Sequence, residues 1–233
     1  MIENDIIIIA AVSELLHNAS LIHDDIQDGD TTRRGIETVW KKFGVNTALC
    51  TGDLLLSAAY GVLANFSQLT LIPRLVSTIH QRTATVIQGQ SCDILCKTKP
   101  VDNVAEYQKI TIAKSGALLS LPLELALIGS DHSQEINFAR QAAERFAIGY
   151  QIADDLCDIE KDGACDGNGE SMNIIFVLKA SKATGDLRAM AVSLALQNLD
   201  QSIALTRALP SNAGSALAEL AKSLKTKLVM ACA

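Results

Sequence analysis

The chain has 233 residues, enough to bury a sizeable core as one large or two small domains. Apolar residues make up 48% of it but aromatics only 4%, so the core must be built from Leu, Ile, Val and Ala, a mixture that favours helix over sheet. A net charge of −6 leaves no basic surplus to neutralise a phosphate backbone, which argues against nucleic acid as a partner.

Apolar residues recur at helical spacing almost throughout, and the chain is read as all-α. The first predicted helix covers 4–28. Its isoleucines at 6–9 suit a strand by propensity, yet no turn or second strand follows and the pattern continues helically to Ile26. A polar loop at 29–35 carries Arg33 and Arg34, and helices follow at 45–66 and 70–97. Pro100 breaks the chain before a helix at 103–129, in which Lys114 is a charge amid apolar residues. A short turn at 129–133 leads to a helix at 134–160, and a stretch rich in Gly and Asp occupies 162–170. Helices at 171–181, 186–208 and 212–230 complete the chain, with Pro210 and Ser211 ending one and capping the next. No linker or repeat appears, so residues 1–233 are assigned to a single domain.

The six cysteines follow no Cys-x-x-Cys spacing and are expected to be free thiols in a reducing cytosol. No secretory signal or membrane span is expected either. The apolar run at 6–12 is too short, and the stretch at 118–129 contains Pro122 and Glu124. A cytoplasmic protein is the expectation.

Two acidic clusters dominate the polar chemistry. Asp24, Asp25 and Asp28 follow one apolar helix, and Asp154, Asp155 and Asp158 follow another, both in the pattern Asp-Asp-x-x-Asp. Positions i and i+4 share a helix face, so Asp24 aligns with Asp28 and Asp154 with Asp158. Like charges at that spacing destabilise an isolated helix by about a few tenths of a kcal/mol, and two such arrangements need a compensating cation. Hard oxygen donors without imidazole or thiolate point to Mg²⁺, which completes its octahedron with waters and phosphate oxygens. A solvated acidic helix end explains one copy of the pattern more readily than two.

Further segments extend the pattern: residues 21–35 (LIHDDIQDGDTTRRG), Thr51-Gly52-Asp53, Gly89-Gln90 with Asp93, Lys114-Ser115-Gly116-Ala117, and residues 149–158 (GYQIADDLCD). Together they resemble the trans-prenyl diphosphate synthases (polyprenyl synthetases), especially geranylgeranyl and longer-chain enzymes, and the likeness covers nearly the whole chain. The resemblance implies an isoprenoid synthase helical bundle around a central cavity, with the two aspartate motifs facing one another across it. It implies a homodimeric, Mg²⁺-dependent prenyltransferase that condenses isopentenyl diphosphate with an allylic diphosphate.

On that resemblance Asp24, Asp28 and Asp154 are direct metal ligands, while Asp25, Asp155 and Asp158 orient waters or complete the shell. Arg33 and Arg34 offer planar donors to phosphate oxygens, one to each substrate. Lys114 binds the leaving diphosphate, and Ser115 and Gln151 turn oxygen dipoles toward the developing cation. Gln90, counted with the substrate-binding residues, and Asp93 form bonds close to the metals. His17 aligns with a position that contacts isopentenyl diphosphate, although a polar residue in a core helix often just finds a local partner. His23 is expected to point away from the aspartates and pack, and Trp40 to pack.

Chain length is read from the first helix. Steps of four back from Asp24 reach Ser20, Leu16 and Val12, each about 5.4 Å deeper, a pitch similar to one isoprene unit. Ala19 and Ser20 are small and would not plug a cavity early, so the expected product has twenty carbons or more, with Leu15 and Leu16 as floor residues.

Two features depart from the family. A basic Gly-Lys-Arg-x-Arg segment that relatives carry upstream of the first aspartates is missing here, and residues 160–173 contain only Lys161 where relatives carry further lysines. Three other readings therefore stand beside the synthase: a non-catalytic partner subunit of such an enzyme, a class I terpene cyclase, and an acidic helical protein of structural role. The repeated Asp-Asp-x-x-Asp disfavours the cyclase, whose second motif mixes Asn or Asp with Ser or Thr and Glu.

Overall fold

The computed structural model describes residues 1–159 and 172–231. In chain order these form α1 (Glu3–Asp28), β1 (Thr32–Arg33), β2 (Ile36–Glu37), α2 (Val39–Phe43), α3 (Val45–Gly61), α4 (Ile72–Cys96), α5 (Val104–Thr111), α6 (Ala117–Gly129), α7 (Ile136–Cys157), α8 (Ile174–Ala180), α9 (Leu187–Thr206) and α10 (Ser215–Ala231). The predicted helices are all present, with ends shifted by a few residues. The predicted helix at 103–129 is divided: α5 passes into a π-helical turn at Ile112–Gly116 before α6 begins.

The polar loop predicted at 29–35 contains a structure the sequence does not announce. Gly29 ends α1 in the left-handed conformation, and β1 and β2 then pair antiparallel, Thr32 opposite Glu37 and Arg33 opposite Ile36. Arg34 and Gly35 at the tip both have positive φ, at 53° and 79°, as a two-residue hairpin turn requires. Thr38 Oγ1 and Trp40 Nε1 both donate to the Asp30 carbonyl, at 2.8 and 2.7 Å, so Trp40 anchors the hairpin through a hydrogen bond as well as by packing.

The described residues fall into two compact units, 1–80 with 128–131 and 81–127 with 132–233. In the first, α1 lies against α3, and Ile8, Val12, Leu16 and Ala19 of α1 are buried with Ala48, Gly52 and Ala59 of α3. These positions recur three or four residues apart and so form one packed face. Asp5 is fully buried and accepts from the Ser67 amide at 2.8 Å and the Ser67 hydroxyl at 2.6 Å, which satisfies its carboxylate inside this core.

In the second unit α7 is the central element, rich in alanine, with Ala142, Ala143 and Ala147 fully buried against a core that includes Ala195 and Leu199 of α9. Small residues let the helix axes approach. At Gly149 an added Cβ would lie 2.6 Å from Leu199 Cγ and 3.2 Å from the Ala195 carbonyl oxygen. Glu124 of α6, 1% exposed, is held by Ser120 Oγ at 2.7 Å, Arg140 Nη2 at 3.1 Å and Arg82 Nε at 3.2 Å. Burial lowers the Arg82 pKa while Glu124 opposes that shift, and burial raises the Glu144 pKa beside the same arginines.

Three stretches, Glu3–Asp28, Val45–Asn65 and Val104–Gly129, are long and apolar enough to cross a membrane by length and composition. The expectation of no such segment is corrected on that measure. The runs at 6–12 and 118–129 are short by themselves, whereas the helices that contain them extend well beyond both. Within them Asp5 and Glu124 are buried and bonded to polar partners of the protein.

Candidate active site

The second acidic cluster lies at the end of α7, where the helix leaves its last carbonyls without internal partners. Here a cleft of about 150 Å³ is lined by Asp93, Lys114, Gln151, Asp154, Asp155, Asp158 and Met172. Six of these seven are residues singled out from the sequence, drawn from α4, the π-turn and α7. The predicted loop with few lysines, 160–173, falls mostly on residues outside the described ones.

Lys114 is placed by backbone geometry. Gly89 of α4 runs so close to the π-turn that a Cβ there would stand 2.3 Å from the Lys114 nitrogen and 2.6 Å from the Ala113 carbonyl carbon. Only glycine permits that approach. The widened turn, of a kind that often marks functional sites, presents the Lys114 ammonium to Asp93 Oδ2 at 2.5 Å. Ser115 and Gln90 are half-buried and adjoin lining residues in the chain rather than belonging to the lining.

The three aspartates of this cluster have different surroundings. Asp154 is exposed and Asp158 half-buried, both facing the cleft. Asp155 is 4% exposed: its Oδ2 accepts from Tyr107 Oη at 2.7 Å and the Ile174 amide at 2.8 Å, and its Oδ1 accepts from Gln151 Nε2 at 2.8 Å. Burial, with Asp155 alongside, pushes the Tyr107 phenol pKa well above its ordinary value and keeps it a donor. Gln151, read from sequence as an oxygen dipole, thus spends its amide nitrogen on Asp155.

The first cluster shows the same division. Asp25 is 4% exposed and Arg33 turns back from β1 to it, Nε and Nη2 each 2.7 Å from Asp25 Oδ1, with Nη2 also 3.4 Å from Asp24 Oδ2. Burial works against the guanidinium charge, but Asp25, Asp24 and Asp30 outweigh it and raise the Arg33 pKa. Asp24 is half-buried, Asp28 exposed, and Arg34 exposed at the hairpin tip. His23 points toward Gly52, where a Cβ would lie 2.2 Å from its Nε2, and its Nε2 is 3.6 Å from Asp53 Oδ1. His17 is exposed, Leu16 and Ala19 are buried, and Leu15 and Ser20 are half-buried, with Ser20 Oγ bonded to the His17 carbonyl at 2.8 Å.

Among the described residues no three His, Cys, Asp or Glu side chains gather closely enough to form a ready-made metal centre. The expected six-carboxylate set differs in exposure: Asp25 and Asp155 are buried and bonded within the protein, whereas Asp24, Asp28, Asp154 and Asp158 are half-buried or exposed. Those hard oxygen donors fit Mg²⁺, which takes one or two carboxylates and fills its octahedron with waters and substrate phosphates. Sequence reasoning missed Tyr107, Met172 and Asn173. Tyr107 and Thr111 stand one turn apart, with Lys114 a further turn on, a polar row on an apolar helix that was a usable signal.

Comparison with solved structures agrees with this architecture. The geranylgeranyl pyrophosphate synthetase of the archaeon Geoglobus acetivorans superposes with a TM-score of 0.81 at 22% identity, over 95% of this chain and 85% of that one. That of Pyrococcus horikoshii gives a TM-score of 0.77 at 26% identity, over 94% and 78%. The class is therefore an all-α isoprenoid synthase fold. Residues 2–171 match the polyprenyl synthetase family, and the chain belongs to it. Geranylgeranyl diphosphate synthase of Mycobacterium tuberculosis is 31% identical over 160 residues, 68% of this chain and 46% of that protein. Geranylgeranyl pyrophosphate synthase of Geoglobus acetivorans is 34% identical over 157 residues, 66% and 49%. The chain spans about half the length of the curated relatives it matches. Other relatives bear the names farnesyl diphosphate synthase (Haemophilus influenzae) and solanesyl diphosphate synthase (Arabidopsis thaliana), so the family likeness does not fix a product length.

Proposed function

We propose that the chain is a trans-prenyltransferase that condenses isopentenyl diphosphate with an allylic diphosphate and depends on Mg²⁺. The observation that carries this reading is the cleft lined by Asp154, Asp158, Asp93 and Lys114, with the Lys114 ammonium paired to Asp93. Asp154 and Asp158 would hold Mg²⁺ there, and Asp24 and Asp28, at the end of α1 in the other unit, offer oxygen donors of the same kind. Magnesium, when bound, supplies positive charge to the departing diphosphate as the allylic carbon–oxygen bond breaks. Lys114, held ready by Asp93, exchanges that partner for a diphosphate oxygen. Arg33 neutralises the first cluster, and Arg34, exposed beside it, is a donor for a second diphosphate. The isopentenyl double bond attacks the allylic carbon, a new carbon–carbon bond forms, and the departing diphosphate takes the proton that is lost.

A product of twenty carbons or more, a cytoplasmic location and a homodimer belong to the same reading. Large apolar side chains exposed on α3 and α4, among them Leu54, Ile87 and Leu95, support association with a second copy. The test is steady-state turnover with isopentenyl diphosphate and geranyl or farnesyl diphosphate, with and without Mg²⁺, and light scattering for the dimer. Metal-dependent elongation supports the reading. No turnover by the chain alone, but turnover restored by a partner synthase chain, would assign it as a partner subunit instead. No binding of magnesium diphosphate at all would sink both.

A further inference from the structure

The Asp155 carboxylate lies in the acidic motif, yet three neutral donors meet it at 2.7–2.8 Å. Its main chain is tied as well. Asn173, fully buried, donates from Nδ2 to the Asp155 carbonyl at 2.8 Å and accepts the Ile175 amide on Oδ1 at 2.9 Å, capping α8. That carbonyl is one of the four a helix end leaves without internal partners. Asn173 therefore joins the last turn of α7 to the first turn of α8, and Tyr107 joins both to α5.

We propose that Tyr107 and Asn173 are positioning residues that act through Asp155, locking the end of α7 so that Asp154 and Asp158 present their oxygens to the cleft. Two observations carry this. Tyr107 and Asn173 are each fully buried, and each donates a hydrogen bond to Asp155, one to its side chain and one to its carbonyl. Asp154 and Asp158, one residue before and three after Asp155, both line the cleft. A helix end that frays swings both ligands together, since they share a face. Metal ligands lose affinity when the groups that orient them are removed, about 10–100-fold in metal sites generally.

The inference rests on the reading above that Asp154 and Asp158 take Mg²⁺. Its test uses two variants that each remove one donor: Tyr107→Phe, which deletes only the hydroxyl, and Asn173→Asp, which keeps the α8 cap but loses the amide donor. Calorimetric titration of inorganic diphosphate in the presence of Mg²⁺ is compared with the Mg²⁺ concentration that gives half-maximal turnover, at a temperature where each variant is folded by circular dichroism. Both variants are expected to weaken magnesium diphosphate binding about tenfold and to raise the Mg²⁺ requirement in proportion. The KM for isopentenyl diphosphate should stay within about twofold, which a general loosening of the fold would not produce. Asp154→Asn, as a reference, should weaken binding at least as much. Wild-type binding and Mg²⁺ requirement in both folded variants, beside a weakened Asp154→Asn, would overturn the positioning role and leave the proposed function standing. Undiminished binding in Asp154→Asn as well would overturn the function reading and this inference with it.

Discussion

Replacing Gly89 with alanine tests how the site is built. The new Cβ would meet the Lys114 nitrogen at 2.3 Å, the Ala113 carbonyl carbon at 2.6 Å and Lys114 Cα at 2.7 Å, all backbone atoms with no rotamer to yield. Ordinary carbon contacts begin near 3.5 Å, so α4 and the π-turn must part by about 1 Å. Overpacking of this kind costs about 1–3 kcal/mol, and a backbone clash belongs at the upper end. For a chain of this size about 3 kcal/mol lowers Tm by roughly 6–12 °C. The same displacement moves Lys114 away from Asp93 and the cleft, and about 1 Å of misplacement can reduce turnover ~100-fold. Circular dichroism melting reads the first effect, and kcat measured well below both transitions reads the second. Gly61, at the end of α3, is the control: a methyl added there would find nothing within 4 Å, so Gly61→Ala should leave both quantities near wild type. A Gly89→Ala protein with wild-type Tm and kcat would refute the claim that backbone contact sets Lys114 in place.

Three other outcomes follow from the structure. Arg33→Ala leaves the buried Asp25 without its guanidinium; because Arg33 is a third exposed and screened by solvent, the loss should be about 1–2 kcal/mol by urea denaturation rather than the ~3–5 of a fully buried pair. Burial first, then Asp93 and Cys92, push the Cys96 thiol up to about 11, so iodoacetamide at pH 8 should label the exposed Cys50, Cys92 and Cys157 but spare Cys96 until the protein is denatured, as read by peptide mass spectrometry. Ser20→Phe fills the step one turn below Asp24, and product chromatography should show a chain shortened by one or more five-carbon units; an unchanged product would end the helical ruler argument.

Much of this molecule was legible in its sequence because helices announce themselves by period. The apolar period that marks 4–28 as a helix is seen in α1, whose buried residues include Ile8, Val12 and Leu16, and the residues chosen from short motifs, Asp93, Lys114, Gln151 and the second aspartates, line one cleft. Motif spacing carried that, since each side chain's position follows from its place on a regular element. What escaped depends on departures from regularity. The hairpin at 32–37 rests on Arg34 in a left-handed conformation that a non-glycine residue seldom takes, and the π-turn at 112–116 shows no change in apolar pattern. Tyr107 and Asn173 escaped because their partner Asp155 lies 48 and 18 residues away along the chain.

The two clusters share a logic that their common pattern alone does not reveal. In Asp-Asp-x-x-Asp the outer acids fall on one helix face, while the middle acid is rotated by about a quarter turn or more. At both sites that middle acid is the buried one, Asp25 and Asp155 each 4% exposed, and at both it is bonded within the protein. The means differ. Asp25 is met by a cation, Arg33, and Asp155 by neutral donors, Tyr107, Gln151 and a backbone amide. Neutral donors to Asp155 bring no positive charge of their own, whereas the guanidinium on Asp25 offsets part of the charge of the first cluster. The adjacent pair of aspartates therefore divides its labour: one residue is buried and fixes the helix end to the fold, and its neighbour on the outer face is the more exposed of the two.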